Sequence, residues 1–201
     1  YVLPSGDGVS MTALTNYVAL VNHDGKRFVN EGHPSINYKS EVMMKQPKHE
    51  AYAIFDQKAL DNLKLMRDYN ENGYFISADS FEELADKLDV NKENFVQTMK
   101  KYQEYGKNQD DKEFGRKIQN PLNTPKYYAV LVTPAMQSTY GGIHVDTAAR
   151  VLDKNMKPIP GLYAAGATSG HNAFANEIGA ASIIAYVYGR IAGETAVKEL
   201  K

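Results

Sequence analysis

The sequence predicts an α+β fold in two parts that divide near Pro125. Two observations carry the prediction. Up to about residue 105, β-prone runs alternate with segments of helical periodicity, and residues 106 to 125 then turn polar, charged and interrupted by Pro121 and Pro125. Beyond Pro125 the texture changes to short β-prone segments, a loop of small residues and one long apolar helix.

Tyr17-Val18-Ala19-Leu20-Val21 reads as a strand. Asn22-His23-Asp24-Gly25 supplies turn chemistry and Arg27-Phe28-Val29 a second strand, so a hairpin is expected. Residues 32 to 37 are loop-like, and Ser40 to Gln46 can form a helix. Ala51-Tyr52-Ala53-Ile54-Phe55 is strongly β-prone and ends at Asp56, with a helix expected from about Gln57 to Tyr69. Ser80 and Glu83 make a capping box ahead of Phe81, Leu84, Ala85 and Leu88, which share one helical face. A second helix from about Lys92 to Tyr105 buries Phe95, Met99 and Tyr102 by the same rule. In the later part, Tyr127 to Val132, Gly141 to Val145 and Val151 to Asp153 are β-prone, and Ala180 to Leu200 is a long helix rich in alanine and isoleucine.

A chain of 201 residues can bury one sizeable core or two modest ones. Its 23 Lys and Arg against 24 Asp and Glu give a net charge of -1, with no electrostatic pull towards nucleic acid or an anionic membrane. A small-molecule or protein partner is expected instead. Zero cysteines exclude disulfides, thiolate metal sites and cysteine nucleophiles, and fit a reducing cytoplasm. Redox chemistry would need a cofactor. No run approaches the roughly 18 to 20 apolar residues that span a bilayer, so the chain reads as soluble. Residue 1 is a tyrosine rather than an initiator methionine, and a cut within a longer protein or a processed end is expected there. His23, His33 and His49 are scattered without ligand spacing, and no metal site is expected. His144, inside a β-prone run, reads as structural; His171, in the small-residue loop, reads as an exposed loop residue or a substrate contact.

Leu162-Tyr163-Ala164-Ala165 ends in Gly166 and runs into a loop of small residues, which lets backbone approach a flat ligand closely. The loop leads through Glu177-Ile178-Gly179-Ala180-Ala181-Ser182 into the last helix. Backbone N–H groups at that helix start can face a partly anionic acceptor. The same small-residue strand, loop and helix would also serve tight packing.

The combination of segments resembles the fumarate reductase and succinate dehydrogenase flavoprotein family. Val132-Thr133-Pro134 through Thr139-Tyr140-Gly141-Gly142-Ile143-His144-Val145-Asp146-Thr147 is similar to a family segment with a "TP" pair, then "TMGG" and a strand ending in "DT". Ile159-Pro160-Gly161-Leu162-Tyr163-Ala164-Ala165-Gly166, then Ala175-Asn176, Gly179 and Gly189-Arg190-Ile191-Ala192-Gly193-Glu194, resemble its closing FAD segment. Asp24-Gly25-Lys26-Arg27-Phe28-Val29-Asn30-Glu31 resembles the opening of its capping domain.

The resemblance implies that residues 1–125 are a capping, substrate-closing domain. Residues 126–201 are then the returning β-strands and helix of an FAD-binding, Rossmann-like domain whose N-terminal part is absent, since no GxGxxG occurs. It implies FAD as cofactor in the full-length protein, weakly held or not held by this chain alone. The expected cofactor contacts are Gly141, Gly166, Ala167, Ala180, Ala181, Ser182 and Ile183. Ala167 stands where the family has an acidic residue, removing an expected hydrogen bond to the ribityl chain.

Fumarate-reducing members hold a dicarboxylate with a histidine and arginines and protonate it with another arginine. Here the histidine position falls on Gln137, with Ser138 after it, and an arginine position falls on Glu177. A carboxylate there repels a substrate carboxylate by a few kcal/mol in a half-enclosed site. The acid-catalyst arginine falls near Ser35 or Ile36, leaving Tyr38 or Lys39 as stand-in acids or as solvated surface groups. The threonine and glutamate of the family's proton path fall near Ser10 and Met11, with the arginine partner near Leu14. Tyr140 is the candidate catalytic donor, with a packed core tyrosine as the alternative.

The implied activity is FAD-dependent hydride exchange between flavin N5 and a CH–CH or C=C substrate other than fumarate, with an unspecified electron donor. A truncated or degenerate, catalytically silent flavoprotein fragment fits the loss of charged positions equally well. A flavoprotein passing electrons to quinone, oxygen or a partner is a third reading, which nothing in the sequence selects.

Overall fold

A computed structural model describes residues 15–135, 141–170 and 178–200, with side chains of the last helix described from Ser182. The chain divides into two compact units, one ending at Ala135 and the other beginning at Met136.

The first unit is built on a four-stranded antiparallel sheet. Strands β1 (Ala19–Val21), β2 (Ala51–Asp56), β3 (Ile76–Ala78) and β4 (Tyr127–Val132) lie in the order β1-β2-β4-β3. β2 pairs with β4 from Ala51 opposite Val132 to Asp56 opposite Tyr127. Every residue of β2 is buried, because the sheet is covered on both faces. On one face Ala53, Phe55, Tyr128 and Val130 pack with Met43, Leu60 and Met66, carried by α1 (Ile36–Met43), α2 (Gln57–Asn62) and α3 (Lys64–Glu71). On the other, Tyr52, Ile54, Tyr127 and Ala129 pack with Phe81, Leu84, Phe95, Met99 and Tyr102. These come from α4 (Phe81–Lys87) and α5 (Lys92–Asn108).

Local chemistry accounts for the helix starts. The Ser80 hydroxyl accepts from the Glu83 amide at 3.1 Å, and the Glu83 carboxylate accepts from the Asp79 amide at 3.0 Å. This is the expected capping box with its return bond shifted one residue upstream. Asn91 caps α5 and Ser35 caps α1 through their side chains.

Several expectations are corrected. β4 belongs to the first sheet, so the division falls after Ala135 rather than near Pro125: β4 is the strand that joins β2 to β3. The expected hairpin from Tyr17 to Val29 reduces to a single bridge between Val21 and Arg27, and β1 pairs with β2 instead. The helix expected from Gln57 to Tyr69 is two helices, broken at Leu63, whose backbone is extended. α1 starts at Ile36, inside the segment read as loop, because Ser35 caps it.

The second unit holds the two-stranded sheet of β5 (Arg150–Leu152) and β6 (Pro158–Tyr163), a 3-10 turn at Gly166–Thr168, and α6 (Ile178–Glu199). Among the described residues, the β-prone run from Gly141 to Val145 forms only two isolated bridges, Val145 to Val151 and Ile143 to Ser169. Among the described residues no helix is long and apolar enough to cross a membrane.

Candidate functional site: a glycine cradle in the second unit

Gly141-Gly142-Ile143 is laid directly on the turn that follows β6. The Ile143 amide donates to the Thr168 carbonyl at 2.8 Å, and the Gly170 amide donates to the Ile143 carbonyl at 2.9 Å. A Cβ on Gly142 would stand 2.4 Å from the Thr168 carbonyl oxygen and 2.8 Å from the Ser169 carbonyl carbon. No side chain fits there. Gly141 beside it is different: among the described residues, a Cβ added there meets nothing within 4 Å. The pair thus offers one residue that locks two backbone segments together and one where no described residue crowds an added side chain.

The turn itself depends on Gly166, whose φ of +73° is left-handed. Its carbonyl accepts from both the amide and the hydroxyl of Ser169, at 3.1 and 2.9 Å. Ala185 of α6 lies at ordinary contact distance, 3.6 Å from the Cβ position of Gly166. Conformation, not space, therefore demands glycine here.

The far end of α6 is clamped to the sheet. The Tyr163 hydroxyl donates to Glu199 at 2.5 Å, and Arg150 reaches the same carboxylate at 3.4 Å. Arg150 also pairs with Asp146, its Nε donating at 2.8 Å. Burial works against the Asp146 charge, yet the hydrogen bonds from Arg150 and from the Ala148 amide hold its carboxyl below the ordinary range.

The first unit carries a buried charge network behind the loop at residues 32–35. Arg27 donates to both Glu31 oxygens, at 3.0 and 2.8 Å, and to both Asp111 oxygens, at 3.1 and 2.8 Å. Its guanidinium lies between the rings of Tyr102 and Phe114, 4.9 and 4.8 Å from their centroids. Arg116 closes the network with a 2.6 Å bond to Glu31, and the Leu20 amide also donates to Glu31. Burial opposes the Arg27 charge, but the two carboxylates raise its pKa above the ordinary value. Tyr38 and Lys39 sit at the start of α1 beside this network. The Tyr38 ring packs on His33 at 4.4 Å, and the Lys39 ammonium donates to the Glu31 carbonyl at 3.2 Å. Burial lowers the Lys39 pKa, Glu31 opposes the shift and Arg116 adds to it.

A family model described as an FAD binding domain matches residues 6–183. The chain belongs to the fumarate reductase and succinate dehydrogenase flavoprotein family. A probable fumarate reductase of Shewanella frigidimarina is 36% identical over 89% of this chain and 31% of its own length. A urocanate reductase of Eggerthella lenta is 31% identical over 91% of this chain and 32% of its own length. The solved open conformation of a flavocytochrome c3 fumarate reductase superposes with a TM-score of 0.84 at 34% identity, covering 98% of this chain and 36% of that one. The chain spans about a third of the length of these relatives.

FAD is the cofactor the family implies, and the glycines of the cradle are of the type a closely approaching flat ring requires. Among the described residues nothing crowds Gly141, and Gly166 keeps the turn free of a side chain. The amides of the first turn of α6 lack intrahelical acceptors by the geometry of a helix start. Of the residues expected to touch the cofactor, Gly141 and Gly166 belong to this cradle and Ala167 lies exposed in the 3-10 turn. Ala180, Ala181, Ser182 and Ile183 fall in the first turns of α6. The pocket candidates Gln137, Ser138, Tyr140 and Glu177 lie outside the described residues. Sequence reasoning missed Gly142 as the closest backbone approach and Ser169 as the brace of the turn. The Gly-Gly pair was the available signal for the first.

Proposed function

We propose that this chain is the substrate-closing and ring-side part of an FAD-dependent oxidoreductase acting on a CH–CH or C=C substrate other than a simple dicarboxylate. The observation that carries the reading is the locked Gly142–Ser169 contact beside the open Gly141 backbone. It supports a preformed flat-ligand surface that needs no rearrangement to receive a ring. Family membership supports the chemistry: bound FAD supplies hydride exchange at N5.

The roles of this chain's own residues follow from their types. Gly141 and Gly166 admit the ring edge, and the first-turn amides of α6 face its electron-rich side. Gln137, Ser138 and Tyr140 are of types that offer neutral donors to a substrate carbonyl, with Tyr140 the candidate proton donor. Glu177 disfavours a second substrate carboxylate. The substrate is a small molecule, the electron donor comes from outside the chain, and the compartment is reducing.

The test is reduction of a series of unsaturated acids by a protein that includes both this chain and a dinucleotide-binding part, with reduced viologen as donor. Monocarboxylates or neutral-headed substrates are expected to outrun fumarate. Preference for fumarate would sink the role given to Glu177, and a protein without bound flavin would sink the oxidoreductase reading itself.

A further inference from the structure

Lys39 lies half-buried in the first turn of α1, at the edge of the charge network of the first unit. Among the described residues its ammonium makes no ion pair and a single hydrogen bond, the 3.2 Å bond to the Glu31 carbonyl. The Glu31 carboxylate is fully engaged elsewhere. One of its oxygens accepts from the Leu20 amide and from Arg27 Nε, the other from Arg27 Nη2 and Arg116 Nη1. The buried members of the network balance without Lys39, two guanidiniums of Arg27 and Arg116 against the carboxylates of Glu31 and Asp111. Glu113 reaches Arg27 from the more exposed edge, at 3.5 Å. Lys39 is thus a cation added to charges that already cancel.

Burial and then the charge of Arg116 disfavour its ammonium form, and the Glu31 charge opposes them without restoring the ordinary pKa. An amine desolvated beside another cation keeps more of its population as the free base, the nucleophilic form. Lys48 and Lys112 are the contrast, since Asp89 and Asp110 pair with them and raise their pKa values.

We propose that Lys39 is an acylation site of the native chain, modified ahead of the carboxylate-paired lysines by compact anionic acyl donors of the acyl phosphate class. The inference goes beyond the flavoprotein reading and does not need it. The free amine attacks the acyl carbon, an N–C bond forms, and the bond from that carbon to the phosphate oxygen breaks. The proton shed by the nitrogen leaves with phosphate, and nothing is oxidised or reduced. Two features select the donor. A half-buried amine admits a small reagent more readily than a bulky one, and a cation beside a balanced network attracts an anion. Acylation removes the unbalanced charge and keeps an amide N–H for the Glu31 carbonyl, which leaves the network neutral.

The experiment incubates the full chain with acetyl phosphate from neutral to alkaline pH and follows initial acetylation of each lysine by peptide mass spectrometry. A drop of one pKa unit gives about tenfold more free amine at neutral pH, and an advantage of at least about threefold for Lys39 over Lys48 and Lys112 is expected. Its rate should also level off at lower pH than theirs, a readout that differences in access do not move. In urea, where burial and Arg116 no longer act, the lead should vanish. Equal rates in the native chain, a shared pH profile, or a lead that persists in urea overturns the proposal. Faster modification of Lys39 by a coenzyme A thioester than by acetyl phosphate overturns the donor class. The chain acetylated at Lys39 should unfold no earlier than the unmodified one, and a lower midpoint would overturn the unbalanced charge on which the inference stands.

Discussion

Replacing Gly142 by alanine tests the cradle directly, because its neighbour Gly141 is a matched control. The added methyl would lie 2.4 Å from the Thr168 carbonyl oxygen, 2.8 Å from the Ser169 carbonyl carbon and 3.0 Å from the Gly170 nitrogen. All three are backbone atoms, so no side-chain rotation relieves the clash. Two segments must separate by the better part of 1 Å, at about 1 to 3 kcal/mol for overpacking. The two hydrogen bonds between Ile143 and residues 168 and 170 weaken with it, at about 1 kcal/mol each. The expected loss is about 2 to 5 kcal/mol, read from urea unfolding with wild-type and variant protein in parallel. Gly141→Ala meets nothing among the described residues and should stay within about 0.5 kcal/mol of wild type. In a flavin-loaded protein the order reverses in kind: Gly141→Ala should lower flavin retention without lowering stability, since its methyl occupies the open side. Equal stability of the two variants would refute the close-approach reasoning, and unchanged flavin retention in Gly141→Ala would refute the placement of the ring.

The buried charges of the first unit give two further expectations. Arg27→Met removes the cation shared by Glu31 and Asp111, whose side chains are almost fully buried. Arg116 still neutralises Glu31, so Asp111 is left orphaned, and a loss of about 3 to 5 kcal/mol is expected in urea unfolding. Adding Asp111→Asn to Arg27→Met should recover part of that loss; strict additivity would argue against an orphaned charge. The second concerns acid. Burial raises the Asp111 pKa, but the Arg27 hydrogen bonds and charge outweigh it and leave the folded value depressed. The unfolded chain therefore binds this proton more readily, so the contribution of Asp111 is present above the ordinary carboxyl range near pH 4 and is lost as pH falls through the folded value. Unfolding midpoints measured from pH 7 down to pH 3 should fall, and fall less steeply in Asp111→Asn.

Local chemistry written in adjacent residues was legible in the sequence. The Ser80 capping box, the buried face of Phe95, Met99 and Tyr102, the strand ending at Asp56 and the long last helix all depend on neighbours within a turn or a strand. Family membership was legible for a similar reason, since ordered short segments survive without knowledge of what they touch. Tertiary structure decided the rest. β1 pairs along its length with β2 and meets residues 27–29 at the Val21–Arg27 bridge, because the sheet buries Ala19 and Val21 against α4 and α5, which a free hairpin could not do. β4 joins the first sheet across the composition break at Pro125, where pairing with β2 and β3 satisfies backbone groups on both of its edges. The partners of Arg27 lie 4 and 84 residues away, and those of Gly142 are the backbone of residues 168 to 170. Periodicity and propensity carry no information about such distances. The sequence by itself thus determined the strongest local elements and the family they belong to. Only the folded chain determined which glycine is crowded and which is open, because that depends on atoms brought together from remote positions.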